Sequence, residues 1–492
     1  MKVSRRNLLA GAAAFWGLVA LGPARAEAPL TALRPPSRPV PPIPPTLDEI
    51  IADAGPTGLL GCMLVDATTG ELIEAQSADT RLPPASVAKA VTALYALASL
   101  GPAYRFQTLL LATGPLVDSV VQGDLILAGG GDPVLTTDHL GAMAERLRAA
   151  GVRGVTGSFL VWGGALPEQH QIASDQQAHL GYNPAIGGLN VNFNRVHFEW
   201  ARTGDGSYSI TMDARSARFR PDVTVARMRV ADRELPVYTY EDTGDADRWT
   251  VARAALGDGG ARWLPVRKPA QYAGEVFRLL AAAQGVSLPE ARVSVDLPEG
   301  EALVTHDSDP LDAMLRDMLE YSTNITAECI GLAASLARGL RPATLADSAG
   351  AMSRWAEERL GARGDFVDHS GLGDASAISA SEMTRALVSA YAGGALPALL
   401  KPIVLLDAQG DALANPPADV VAKTGTLNFV SGLGGYIRRP GRNDLAFAIF
   451  SADQDRRAAA KAQGDEVPEG ARGWNRRARG LQHALLRRWA DV

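Results

Sequence analysis

Alternating apolar and polar positions near the start of the chain predict a small helix and a hairpin before a longer apolar segment. The run from Thr46 to Glu49 has the pattern of a capping box, which favours a short helix. Leu59 to Val65 then has the composition of a buried strand, and Glu71 to Ala75 returns after a turn. From Ala85 to Ala98 nearly every residue is apolar or small, which predicts a helix buried on all sides.

The pattern changes between residues 103 and 300, where short strand-like runs alternate with frequent turns. Leu189 to Phe198 alternates apolar and polar residues, so it predicts a half-buried strand. Helical periodicity interrupts this region from Leu140 to Ala150 and again from Tyr272 to Gln284. We therefore expect one or more inserted, β-rich domains at residues 103–299.

Helices and strands both follow in the last third of the chain. Ser308-Asp309-Pro310 starts one helix, and a second follows from Ala327 to Ala337. Three antiparallel strands are predicted within residues 420–450, and Trp474 to Trp489 forms an amphipathic helix. This helix is expected to pack on its own sheet, with membrane contact as the alternative. The fold class is therefore α+β, with an antiparallel sheet flanked by helices.

Composition narrows the functional classes. The 492 residues carry a formal net charge of -6 without a concentrated basic stripe, which gives no reason to expect a nucleic-acid partner. Cys62 and Cys329 lie in apolar runs and are predicted to be buried, unpaired thiols.

The N-terminal segment indicates export. Arg5 and Arg6 precede an apolar run and an Ala-x-Ala site that ends at Ala26, as in a signal peptide with a twin-arginine-like start. We expect cleavage after residues 1–26, a periplasmic mature protein without a transmembrane span, and a proline-rich spacer at 27–45.

The apolar segment at 85–98 also contains the first candidate chemistry. Ser86 and Lys89 are three residues apart, so they share one face of the predicted helix. Burial lowers the proton affinity of an ammonium group, so Lys89 could take the proton of the Ser86 hydroxyl. Only six of the 48 basic residues are lysines, and lysine can lose its proton where arginine cannot. The alternative is a capping serine followed by an exposed lysine.

Two further polar groups stand out beside apolar elements. Ser322-Thr323-Asn324 separates two apolar helices and could either cap a helix or point into a cleft. Lys423-Thr424-Gly425-Thr426 lies in a predicted strand. The seven histidines show no metal-binding spacing, and a Gly-x-Ser-x-Gly motif is absent from the sequence.

In this order, Ser86-x-x-Lys89, Ser322-x-Asn324 and Lys423-Thr424-Gly425 resemble the three motifs of penicillin-recognising serine enzymes. Ser86 and Ser322 are 236 positions apart, so the chain is similar to the D-alanyl-D-alanine carboxypeptidases of the penicillin-binding protein 4 (peptidase S13) type, which carry inserted domains. The resemblance implies a β-lactamase-like transpeptidase fold, an α/β sandwich with a helical subdomain. Its peptidase domain would comprise residues 46–102 and 300–492.

The resemblance also implies a mechanism. Ser86 would attack a D-Ala-D-Ala peptide bond of a peptidoglycan stem peptide, or a β-lactam, with Lys89 as the base. Ser322 would relay a proton to the leaving amine, and Asn324 would hold the substrate amide and orient Lys89. The chemistry implied needs no metal or cofactor.

The third motif would bind the substrate. Lys423 and Thr424 would take its carboxylate, and Gly425 would let the peptide approach the strand as an added edge. The N–H groups of Ser86 and Thr426 would form the oxyanion hole. A β-lactamase and a non-catalytic peptide-binding protein remain alternatives. The balance of carboxypeptidase and endopeptidase activity stays open, as does a homodimer.

Overall fold

The structure is a computed structural model that describes residues 45–463, 466 and 468–492. The predicted signal peptide, and the predicted spacer up to residue 44, lie outside the described residues. The helices are α1 (Leu47–Ala54), α2 (Ala88–Leu100), α3 (Thr137–Ala149), α4 (Pro269–Ala283), α5 (Leu311–Tyr321), α6 (Asn324–Ala337), α7 (Leu345–Leu360), α8 (Ala380–Tyr391), α9 (Ala395–Leu399), α10 (Gln454–Gln463) and α11 (Ala471–Asp491).

Strands occur in both halves of the chain. They are β1 (Leu59–Asp66), β2 (Leu72–Gln76), β3 (Gln107–Ala112), β4 (Leu116–Val117), β5 (Val120–Val121), β6 (Leu125–Gly129), β7 (Gly154–Val155), β8 (Phe159–Trp162), β9 (Arg195–Arg202), β10 (Tyr208–Asp213), β11 (Ala226–Ala231), β12 (Tyr238–Asp242), β13 (Asp247–Ala252), β14 (Gly259–Pro265), β15 (Ala291–Val293), β16 (Glu301–Asp307), β17 (Lys401–Ile403), β18 (Asp419–Leu427), β19 (Val430–Arg438) and β20 (Leu445–Ala452).

The largest sheet is antiparallel and joins the two ends of the described chain in the order β17-β18-β19-β20-β1-β2. Side chains of β20 alternate between its two faces, as a strand buried on both sides requires. Phe447 and Ile449 share a buried cluster with Leu485 and Trp489 of α11. The C-terminal helix thus packs on its own sheet, as predicted.

The opposite face of this sheet packs on helices. Ala448 of β20 lies in one buried cluster with Val91 of α2 and Met383 of α8. The same cluster takes in Ile330 of α6 and Met352 of α7, which form the helical part of the fold. A sheet between two helical layers is the α/β sandwich that the sequence predicted, and the α+β class is confirmed.

Residues between α2 and α5 form smaller sheets around a core of their own. A mixed five-stranded sheet has the order β15-β8-β6-β3-β16, and three three-stranded sheets have the orders β10-β9-β14, β11-β13-β12 and β4-β5-β7. Apolar side chains of α3 and α4 fill the core between them, including Met143 and Phe277. Strand β16 pairs with β3, although it follows position 299 in the sequence. The exact domain limits stay a prediction.

One predicted strand is shorter than expected. Leu189 to Phe198 was expected to be a strand throughout, but β9 starts only at Arg195. Asn192, Phe193 and Asn194 have φ values of 52°, 59° and 50°, so the chain turns there instead. Asparagine tolerates this left-handed conformation, and the Asn194 side chain donates to the Ala185 carbonyl at 2.9 Å. Local side-chain bonding therefore replaces the strand ladder.

The structure also describes the two cysteines and the helices that bear on a membrane span. Cys62 and Cys329 are both buried free thiols, as predicted. Within residues 45–463, 466 and 468–492, no helix combines the length and apolar character needed to cross a membrane.

Candidate active site

The Ser86 hydroxyl lies in a short 3-10 turn, Ala85–Val87, immediately before α2. The sequence placed Ser86 in the first turn of an α-helix, so the structure shifts the α-helical start by a few residues. Ala85 has φ 47°, a left-handed conformation that a residue with a Cβ rarely adopts. The turn and the start of α2 still bring Ser86 Oγ to 2.9 Å from Lys89 Nζ.

Lys89 is completely buried and held on three sides. Its Nζ donates to Ser86 Oγ at 2.9 Å, to Asn324 Oδ1 at 2.8 Å and to the Ser370 carbonyl at 2.8 Å. Burial lowers the pKa of Lys89 to about 8, against the opposing pull of the Glu328 and Asp368 carboxylates. A substantial share of Lys89 is therefore neutral near physiological pH, and a neutral amine can accept the serine proton.

The second serine contacts the second buried lysine. Ser322 ends α5 in a left-handed conformation, with φ 60°. Its Oγ accepts from Lys423 Nζ at 3.1 Å, and the same nitrogen donates to the Thr424 carbonyl at 2.7 Å. Burial, and then the positive charge of Lys89, hold the pKa of Lys423 well below its ordinary value. A substrate carboxylate would reverse this shift and favour the ammonium form.

Strand β18 brings the third motif to the serine. Among the described strands, β17 pairs with β18 only at residues 420–422, so the outer edge from Lys423 to Leu427 is open beside Ser86. A Cβ at Gly425 would lie 2.7 Å from the Pro84 carbonyl oxygen and 3.1 Å from Ser86 N. Glycine is therefore needed for the close approach of the strand to the turn at Ala85–Val87, whereas the family resemblance implied that it serves the approach of the substrate peptide.

A cavity of about 480 Å³ opens over these groups. Ser86, Ser322, Asn324 and Thr426 line it. Lys89 and Lys423 bond to these lining residues, and Thr424 and Gly425 lie between Lys423 and Thr426 in the same strand. The structure thus brings all the predicted site residues to one place. Charged groups line its far end, among them Asp175, Arg457 and Lys461.

Four groups that contact the site were given no role from the sequence. Glu328 and Asp368 are buried carboxylates near Lys89, and Ser370 supplies its carbonyl ligand. The Tyr182 carbonyl accepts from Asn324 Nδ2 at 3.0 Å, which connects the region between α2 and α5 to the site. Two sequence signals were available: Glu328 is the one charged residue of α6, and residues 182–184 and 368–372 resemble segments of the same enzyme family. The contacts themselves depend on distant segments.

The cleft combines a serine bonded to a buried lysine with a second serine, an asparagine and a strand that carries a second lysine. This combination defines a serine acyl-transfer site of the penicillin-recognising type. Comparison with known proteins agrees. The family model described as "D-Ala-D-Ala carboxypeptidase 3 (S13) family" matches residues 44–469. The chain belongs to this family, and it is a serine-type D-Ala-D-Ala carboxypeptidase. The family, the fold class and the enzyme type predicted from the sequence are confirmed.

Individual relatives match along most of their length. The chain is 29% identical to the D-alanyl-D-alanine carboxypeptidase of Actinomadura sp. (strain R39), over 87% of this chain and 86% of the relative. It is 23% identical to D-alanyl-D-alanine carboxypeptidase DacB of Haemophilus influenzae, over 80% and 85%. The crystal structure of penicillin binding protein 4 from Haemophilus influenzae superposes with a TM-score of 0.71 at 20% identity, covering 89% of this chain and 99% of that one. This likeness shows the shared fold.

Proposed function

We propose that Ser86 is the nucleophile of this peptidase and that Lys89 is its general base. The observation that carries the proposal is the 2.9 Å contact between Ser86 Oγ and a fully buried Lys89 Nζ. In the first step neutral Lys89 takes the hydroxyl proton while Ser86 Oγ forms a bond to the carbonyl carbon of the D-Ala-D-Ala peptide bond. The N–H groups of Ser86 and Thr426 stabilise the oxyanion.

The second serine serves the leaving group. When the C–N bond breaks, the departing D-Ala nitrogen needs a proton, and Ser322 relays one to it from the lysine side of the cleft. That proton is the one Lys89 took from Ser86, so Lys89 is neutral again once the C–N bond has broken. The 3.1 Å contact of Ser322 Oγ with Lys423 Nζ supports this role, because it holds the relaying hydroxyl in place. Water then attacks the ester and its proton passes to neutral Lys89. As the ester C–O bond breaks, Lys89 returns this proton to Ser86 Oγ, which frees Ser86 and the shortened peptide.

Substrate binding uses the open edge of β18. Lys423 and Thr424 take the terminal carboxylate, while Asn324 binds the peptide amide and keeps Lys89 in place through its 2.8 Å bond. The extended peptide adds to residues 423–427 as a further strand, with Gly425 allowing the strand to lie against the serine turn.

The substrates assigned to this site are peptidoglycan stem peptides, and β-lactams are their acylating mimics. Such substrates lie outside the cytoplasmic membrane, so export by the twin-arginine-like segment to the periplasm fits the activity. Peptides cross-linked between chains present the same D-Ala carbonyl, so a DD-endopeptidase activity beside the carboxypeptidase activity is included in the proposal. Comparing release of D-Ala from a pentapeptide with cleavage of a cross-linked dimer measures the balance, and gel filtration tests for a homodimer.

Intact-mass spectrometry tests the nucleophile. The mature chain, residues 27–492, is mixed with benzylpenicillin, with Ser86→Ala as the control. We expect an adduct of the wild type that persists for minutes and maps to Ser86. Rapid loss of the adduct with hydrolysis of the drug would favour a β-lactamase. No adduct would remove Ser86 as the nucleophile and leave a non-catalytic binding protein.

A further inference from the structure

Helix α6 buries a carboxylate in an apolar setting. Glu328 has no solvent-exposed surface, and its neighbours Ala327, Cys329 and Ile330 are buried as well. Removing a carboxylate from water costs several kcal/mol unless hydrogen bonds and an opposite charge compensate. The structure supplies both kinds of compensation, and both lead to Lys89.

The hydrogen bonds of Glu328 fix the segment that binds Lys89. Its Oε2 accepts from the His369 N–H and its Oε1 from the Ser370 N–H, both at 2.9 Å. The Ser370 carbonyl in turn accepts from Lys89 Nζ at 2.8 Å. Asn324, one turn earlier on the same face of α6, binds Lys89 directly. One face of α6 therefore sets two of the three ligands of Lys89.

The charges around Glu328 identify Lys89 as its electrostatic partner. Burial and then Asp368 raise the pKa of Glu328, whereas Lys89 lowers it. Because both of its oxygens accept from backbone N–H groups, the hydrogen bonds favour the ionised carboxylate against this rise. Asp368 itself accepts from the N–H groups of Gly371 and Gly373, each at 2.6 Å, and burial raises its pKa. Burial also keeps the other titratable neighbours uncharged, since it raises the pKa of the Cys329 thiol and lowers that of His369 to about 3.

We propose that Glu328 is a positioning residue that sets both the orientation of Lys89 and its proton affinity. The inference rests on the proposed role of Lys89 as the base for Ser86. Glu328 touches no substrate atom; it acts through the segment 369–370 and through its charge. A glutamine could not replace it, because its amide NH₂ would face one of the two N–H donors.

The test is the pH profile of acylation by benzylpenicillin in Glu328→Gln. In the wild type the rate constant should rise with a midpoint near pH 8, as neutral Lys89 forms. Loss of the nearby negative charge should move this midpoint down by about one pH unit. The maximal rate should also fall, because one N–H of the 369–370 segment loses its acceptor.

Glu275 of α4 is a matched control. Its two carboxylate oxygens also accept from two consecutive N–H groups, those of Thr224 and Val225, at 2.7 and 2.9 Å, in a partly exposed position where the Thr224 hydroxyl donates as well. Glu275→Gln should leave the midpoint unchanged. Glu328→Asp keeps the charge but shortens the reach, so it should slow acylation while its midpoint stays close to that of the wild type.

The outcomes separate this inference from the proposed function. An acylated wild type with an unshifted midpoint in Glu328→Gln would overturn the role of Glu328 and leave Ser86 and Lys89 in theirs. A wild type that is never acylated would overturn the proposed function, and the role of Glu328 with it. If Glu328→Gln does not fold by circular dichroism, a midpoint in Glu328→Asp that falls by a full unit overturns the inference.

Discussion

Gly371→Ala should disable the serine turn without touching a catalytic side chain. Gly371 has φ 75°, and a Cβ there would overlap the Ala85 carbonyl oxygen and stand 2.6 Å from the Ala85 carbonyl carbon. Ala85 immediately precedes Ser86 and is itself in a left-handed conformation. The substitution therefore presses directly on the backbone that aims the nucleophile.

The magnitude follows from two contributions. A left-handed alanine costs roughly 1–2 kcal/mol of stability. Because unstrained carbon–carbon contacts lie at about 3.5–4.0 Å, relieving the overlap requires a backbone shift of about 1 Å. A displacement of that size in a reacting group costs about 100-fold in rate. Gly394→Ala provides the matched control: its φ is 66°, and an added Cβ there would meet no atom within 4 Å.

Two measurements separate the contributions. Urea unfolding should show a larger loss of unfolding free energy in Gly371→Ala than in Gly394→Ala. The difference between the two losses is the part due to the overlap. Acylation by benzylpenicillin should fall about 100-fold in Gly371→Ala and stay at the wild-type rate in Gly394→Ala. If both variants acylate at the wild-type rate, then the contact between residues 371 and 85 does not aim Ser86, and the reasoning fails.

Two further predictions concern protons. The lowered pKa of Lys423 should rise when a substrate carboxylate binds beside it, so the Ser86→Ala variant should take up protons as it binds a peptide ending in D-Ala-D-Ala. Calorimetry in two buffers with different ionisation enthalpies measures this proton uptake. Equal binding heats in the two buffers would contradict it. Burial lowers the pKa of His369 to about 3, against about 6.5 when unfolded, so stability should decline as the pH falls from 6.5 towards 3. Urea unfolding at pH 7 and pH 5 should show a smaller decline in His369→Gln; identical declines would contradict this assignment.

The parts of the site that the sequence predicts are those with local geometry. Ser86 and Lys89 share a face whether the first turn is α-helical or 3-10, so three-residue spacing was enough to pair them. Lys423, Thr424, Gly425 and Thr426 are consecutive in one predicted strand, so their grouping needed no long-range contact. The apolar context of Lys89 also predicted its burial, and therefore the direction of its pKa.

What the sequence did not predict depends on contacts between distant segments. The N–H donors of Glu328 lie 41 and 42 residues further along the chain, so spacing carries no signal for them. The overlap that requires glycine at 371 arises from Ala85, in another segment altogether. In the stretch before β9 the alternation of apolar residues was real, but the short polar side chains between them bonded to the nearby backbone instead.

The distribution of these contacts suggests how a long insertion is compatible with one catalytic mechanism. The ligands of Lys89 come from the turn before α2, from α6 and from the segment at Ser370, all outside residues 103–299. That region reaches the cleft through the Tyr182 carbonyl on Asn324 and through Asp175 at the far end of the cavity. Substitutions at Asp175 should therefore alter which peptides are bound, whereas the proton chemistry of Ser86 is set within the peptidase sheet and helices.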